Sequence, residues 1–149
     1  MKRSFLYAAV LFLICSLSDF AGAQSLDREQ EDQLLTFLEG TYDTVGRYPQ
    51  GGTTYWGVVT LKRDHRTIKM TRIIQGKKTT GNARIIAVTG DNIPVLQADY
   101  TENGRALRTT YMIHSDIDNY GRLTGRTYYT GRDKISPGLE ALFIRRSPD

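Results

Sequence analysis

Cysteine is almost absent from this chain. Cys15 is the only one, and it falls in an N-terminal apolar stretch, so the rest of the sequence can form neither a disulfide nor a cysteine-ligated zinc site. Thiol catalysis is excluded with them. Histidine is scarce as well, with only His65 and His114. Serine occurs after residue 23 only at Ser25, Ser115, Ser136 and Ser147, and none stands in a Gly-x-Ser-x-Gly turn. A glycine-rich phosphate loop and a Gly-x-Gly-x-x-Gly fingerprint are both missing, so no nucleotide cofactor is implied. Beyond the N-terminal stretch no apolar run approaches membrane-spanning length.

What is present begins with an export signal. Lys2 and Arg3 supply the positive start, residues 5–17 run apolar, and Ala21-Gly22-Ala23 gives the small-x-small pattern of a cleavage site. The apolar run is too short for a comfortable membrane anchor. Ile14, just before Cys15, is a poor fit to a lipid-modification site. The expectation is cleavage after Ala23 and a mature soluble domain, 24–149, secreted or periplasmic, of a size for one core.

Charge is uneven along that domain. Residues 24–43 hold six acidic side chains against Arg28, whereas 44–149 hold seventeen Lys and Arg against nine Asp and Glu. A basic body suits anionic lipid, acidic glycan or an acidic protein. Nucleic acid is the least expected partner of an exported chain. A solvated strand surface would account for the same charges.

One helix is expected near the start. Asp27 stands as its cap with Gln30 as reciprocal partner, Leu34, Leu35, Phe37 and Leu38 form its apolar face, and Gly40 stops it. The periodicity then switches to two. Turn residues recur about every ten positions and divide the remainder into eight strands at 41–45, 53–62, 67–75, 79–88, 93–100, 106–114, 122–130 and 139–146. Asn103-Gly104 is the strongest hairpin signal, since both residues tolerate a positive φ. Short connections make sequential strands antiparallel neighbours. The expected fold is all-β: an eight-stranded antiparallel up-and-down barrel preceded by one short helix, with two stacked sheets as the alternative.

Alternation places Tyr55, Gly57, Val59 and Leu61 on one face of the second strand, and Ile68, Met70, Arg72 and Ile74 on one face of the third. Leu107, Thr109, Tyr111 and Ile113 share a face of the sixth, as Leu123, Gly125, Thr127 and Tyr129 do of the seventh. This inward set mixes aliphatic side chains with Tyr, Thr and Gly, the character of a cavity for one small ligand.

At Leu38-Glu39-Gly40-Thr41-Tyr42 the chain resembles the opening of a lipocalin-type (calycin-like) barrel. That family begins with a short helix and then Gly-x-Trp, whose aromatic plugs the barrel floor; here Tyr42 takes the place of Trp. The resemblance implies an arginine late in the last strand packed over that aromatic, Arg145 or Arg146. It also implies an internal ligand.

The expected ligand lining is Tyr55, Val59, Met70, Arg72, Leu107, Tyr111 and Tyr129, with Arg72 as counter-ion to an acid group. An inward guanidinium needs an anionic partner, and an internal ion pair would serve as well as a ligand. His114 and Asp116 form a His-x-Asp pair that lacks a third metal ligand. The functional expectation is therefore a non-enzymatic carrier of one small apolar or amphipathic molecule. The alternative is an envelope protein- or glycan-interaction module of inhibitor or adhesin type, using a basic aromatic exterior and the loops 48–53 and 116–122. An enzyme ranks below both.

Overall fold

A computed structural model describes residues 26–114, 120–132 and 136–146. The leader segment, Cys15 and Asp116 lie outside the described residues. Eight antiparallel strands form a closed barrel in which each pairs with its sequence neighbours and β8 returns to β1. They are β1 Gly40–Arg47, β2 Thr54–Asp64, β3 Thr67–Ile74, β4 Lys77–Val88, β5 Ile93–Glu102, β6 Arg105–Ile113, β7 Leu123–Tyr129 and β8 Gly138–Ile144. One helix, α1, spans Arg28–Leu38 ahead of them. This is a calycin-like architecture, reached by a chain in which every connection is too short for a crossover. Closure leaves no free sheet edge.

The helix packs at one end of the barrel. Leu35 and Leu38 are fully buried in the same cluster as Tyr42, Leu61, Ile68 and Leu123. Asp27 sits at the N-cap and its carbonyl accepts the Glu31 N–H at 3.0 Å, but its side chain makes no capping bond. Acidic residues of the helix instead fasten it to the β2–β3 turn. Asp32 pairs with Arg63 at 2.6 Å, Glu31 pairs with Arg66, and Glu39 accepts the Arg63 backbone N–H at 2.8 Å. The acidic start and the basic body therefore neutralise each other locally at this end.

Tyr42 closes the helix end, its hydroxyl donating to the Leu38 carbonyl at 2.8 Å. The arginine beside it is neither Arg145 nor Arg146. Arg145 pairs outside the barrel with Asp43, and Arg146 lies over Tyr120 at 4.3 Å. Parity explains the difference: Ile144, the last residue of β8, points inward, so Arg145 must face out. Arg122, just before β7, reaches the floor instead. Its guanidinium lies 4.4 Å over the Phe37 ring and donates to the Phe37 carbonyl at 3.0 Å.

The interior is shaped by pairs of tyrosine and glycine. Tyr55 stands opposite Gly46, Tyr100 opposite Gly81, and Tyr111 opposite Gly125 in the strand register. A Cβ on Gly125 would lie 2.6 Å from the Tyr111 ring and one on Gly81 2.7 Å from Tyr100 Cβ, while one on Gly46 would run into the Tyr55 ring. The Tyr55 and Tyr111 rings thus cover the bare backbone of the glycines facing them, a known way of compensating a glycine inside a strand, while at Gly81 the close approach is to the Asp99 backbone and Tyr100 Cβ. The Asn103-Gly104 hairpin has positive φ at both residues, 51° and 74°, as its sequence requires.

Candidate functional site: a self-paired interior and an apolar outer wall

Alternation places the seven expected lining residues as follows. Tyr55, Val59, Met70, Arg72, Leu107 and Tyr111 are all buried inside the barrel. Tyr129 is half-buried, and Arg105 donates to its hydroxyl at 3.1 Å. The inward parity read for β2, β3, β6 and β7 agrees with burial at nearly every position.

Arg72 is wholly buried and sits between two carboxylates. Its Nη1 donates to Glu140 at 2.8 and 3.1 Å, and its Nε to Glu102 at 3.3 Å. Glu140 also accepts from Thr44 Oγ1 at 2.8 Å and from the Tyr111 hydroxyl at 2.5 Å. Glu102 accepts from the Tyr48 hydroxyl at 2.6 Å, and the Tyr48 ring lies 4.5 Å from that of Tyr55. The loop that carries Tyr48 is tied to the β7–β8 connection by the Gln50 N–H and the Ser136 carbonyl, at 2.9 Å. A second chain of hydroxyls runs from Tyr100 through Thr109 to Thr127 at 3.0 and 2.8 Å. Almost every polar group inside is thus answered by another group of the same chain. Arg72 Nη2 is the exception in this network, buried with no hydrogen-bond partner.

The electrostatics follow from burial. Desolvation opposes the charge on Arg72, but Glu140 and the oxygens of Tyr100, Tyr111 and Tyr55 outweigh it and hold the guanidinium well above its ordinary pKa. Burial, reinforced by Glu140, pushes Tyr55 and Tyr111 far up. Tyr100 is pushed to about 12, chiefly by burial, with Arg72 pulling the other way.

Glu102, Glu140, Thr44 and Tyr48 are the interior partners that the sequence reading did not pick out. Glu102 lies two residues past the expected end of the fifth strand, and no parity was assigned to the eighth. Gly138, Glu140, Leu142 and Ile144 share the inward face of β8, and Leu96, Ala98, Tyr100 and Glu102 that of β5. The signal was there: an inward arginine required inward carboxylates.

The outside of the barrel is unlike the inside. Trp56 is 68 % exposed, Val45 50 % and Leu139 49 %, and Met112, Ile73 and Phe143 are also exposed. The register makes these neighbours. Met112, Thr124, Ala141, Val45 and Trp56 follow one another across β6, β7, β8, β1 and β2. One row away, Leu139 has Arg126 of β7 on one side and Arg47 of β1 on the other. An open groove of about 450 Å³ runs over this wall, lined by Val45, Arg47, Thr54, Thr124, Leu139 and Ala141 among others. Among the described residues, nothing holds the Arg47 or Arg126 side chain in an ion pair or hydrogen bond. The described lysines lie off this row, Lys62 toward the other end of β2 and Lys69, Lys77 and Lys78 on β3 and β4.

His114 donates to or accepts from Thr124 at 2.9 Å, and His65 is 95 % exposed on its turn beside Asp64. The described residues hold no group of three His, Cys, Asp or Glu able to share a metal ion. No protein-family model matches the sequence, and no curated protein matches it.

Proposed function

We propose that this chain is an exported, non-enzymatic protein-interaction module whose outer wall, centred on Trp56, Val45 and Leu139, docks on another protein. The observation that carries the reading is the exposure of Trp56, Val45, Leu139 and Met112 on one wall beside two free arginines. Contiguous exposed apolar surface rimmed by polar groups marks a contact site, and Trp, Met, aromatics and Arg with little Lys or Glu is the composition of protein interfaces rather than of solvated walls. Because the barrel is closed, a partner must meet side chains; strand addition has no edge to use.

Site-specific photo-crosslinking tests this in the producing cell. A benzophenone side chain at position 56 or 139 is expected to give one discrete adduct, and the same group at Asn82 on the far wall none. Equal or absent labelling at all three would end the proposal.

A second reading, the carrier, is favoured by Arg72 Nη2, a buried donor among Tyr55 and Tyr100 with nothing to bond. The Gly40-Thr41-Tyr42 opening supports kinship with lipocalins in the same direction. Glu102 and Glu140 already exceed the charge of Arg72, so a neutral acceptor group suits that donor better than an acid. Native mass spectrometry of protein from its own host tests it; empty protein and no uptake from a lipid panel would exclude it.

A further inference from the structure

The outer wall also specifies the chemistry of what docks on it. Resting on the interaction reading above, we propose that the partner is an acidic protein segment carrying two carboxylates that straddle an apolar side chain, spaced to reach two arginines whose Cα atoms lie about 10 Å apart. The spacing comes from the sheet. Arg126, Leu139 and Arg47 are register neighbours on three successive strands, and two inter-strand steps span roughly 10 Å. The apolar side chain between the carboxylates would sit over Leu139 and Val45, against the Trp56 indole.

Three further observations bear on charge. Strands β8 and β1 carry one outward acid in this region, Asp43, and Arg145 already neutralises it at 2.5–3.0 Å. Asp32 and Glu31 of α1 are spent on Arg63 and Arg66 at the helix end. The residues from 44 onward carry an excess of basic side chains. Among the described residues, no carboxylate pairs with Arg47 or Arg126. A second copy docked face to face through the same wall would bring arginine against arginine, which disfavours self-association. Arginine forks also match carboxylates bidentately, which a lysine-lined wall would not.

Selection of random twelve-residue peptides on phage against the purified protein tests the proposal, followed by affinity measurements on the selected peptides made synthetically. Peptides with paired Asp or Glu flanking Leu, Phe or Trp are expected, bound about tenfold more weakly by the Arg47→Gln/Arg126→Gln variant at low salt, with the difference closing as salt rises. Both positions are exposed, and an unchanged circular dichroism spectrum confirms that this variant folds.

If selected peptides need Trp56 and Leu139 (lost in Trp56→Ser/Leu139→Ser) yet show no acidic bias and ignore the arginine variant, the acidic partner is wrong and the docking wall stands. If no peptide depends on Trp56 and Leu139, both fall. Phosphatidylglycerol vesicles and sedimentation equilibrium complete the test: a blue shift of Trp56 emission on the vesicles, or a dimer abolished by Trp56→Ser, would overturn the proposal in favour of a membrane or a second copy.

Discussion

Replacing Arg72 by methionine removes, among the described residues, the one fully buried cation from an interior that holds two carboxylates. Glu140 is fully buried and Glu102 nearly so, and neither can reach water without opening the barrel. Breaking a buried pair by deleting one partner costs about 3–5 kcal/mol, most of it the penalty on the stranded charge. With two anions stranded, Arg72→Met should fall toward the upper figure. A domain of this size has roughly 5–15 kcal/mol in hand, and each kcal/mol moves its melting temperature by about 3–6 °C. The expected result is a loss of roughly 10–25 °C, or no fold at all. Urea unfolding at pH 7 followed by far-ultraviolet circular dichroism is the assay, because Trp56 is too exposed to report on the core. A second variant separates charge from packing. Arg72→Met with Glu102→Gln and Glu140→Gln keeps acceptors for Tyr48, Thr44 and Tyr111 while removing both anions, and should recover most of the loss. An Arg72→Met variant within about 1 kcal/mol of the parent would refute the reasoning, as would a triple variant no better than the single one.

The tyrosine–glycine pairs predict that Gly125→Ala costs about 1–3 kcal/mol in the same denaturation assay, because the new methyl must displace the Tyr111 ring. A neutral result would show that the ring moves freely. Tyr111→Phe deletes a donor to Glu140 and should cost about 1.5–3 kcal/mol, measurable as a shift of the urea midpoint without change of slope. Alkaline titration followed at the tyrosinate absorption band has a definite sign. Tyr100 has its pKa raised by burial from 10.0 to about 12, so its contribution to stability is complete below pH 10 and is lost as pH rises from 10 through 12. Tyr42, Tyr55 and Tyr111 shift in the same direction, again with burial foremost; all four should ionise only as the fold opens, and reversible ionisation near pH 10 with native circular dichroism would contradict their burial. Acrylamide should quench Trp56 in the folded protein nearly as well as in urea, and protection from quenching in the isolated chain would mean that its wall is already covered.

Much of the barrel was legible because β structure writes itself in parity. Eight turn-bounded runs gave eight strands, and the inward residues of β2, β3, β6 and β7 followed from counting by two. What could not be read was register, which depends on how strands meet. The Tyr55–Gly46, Tyr100–Gly81 and Tyr111–Gly125 pairs join residues 9 to 19 positions apart. Each glycine alone looks like a weak point in its strand; only opposite a tyrosine does it become a seat for a ring. The expected mixture of Tyr, Thr and Gly inside was therefore read correctly as composition. Composition alone does not tell how much of that mixture is spent internally: Glu140 accepts from Thr44 and Tyr111, and Thr109 links Tyr100 to Thr127. The ends of the strands were the least legible, and they held part of the Arg72 network: Glu102 closes β5, and Tyr48, which donates to Glu102, follows β1. The arginine beside Tyr42 has a similar origin: the expected seventh strand begins at Arg122, whereas β7 begins at Leu123 and Arg122 turns in to the floor.

Interior and exterior constrain each other in a barrel of this size. A strand gives every other side chain to each face, so a chain that commits Tyr55, Tyr100 and Tyr111 to an ionic core turns the alternate residues of the same strands to an outer face open to recognition. Natural surfaces of this kind are expected to carry Lys, Glu and Thr, and the β2–β4 side does so with Lys62, Lys69, Lys77 and Lys78. Across β8, β1 and the start of β2 the outward positions hold Val45, Trp56, Leu139 and Phe143 instead. Exposed Trp and Phe add nothing to the core, and they raise the risk of aggregation. They are tolerable where something covers them. The asymmetry between two walls built from the same alternating pattern is thus the strongest physical reason to look outside this barrel, rather than within it, for its partner.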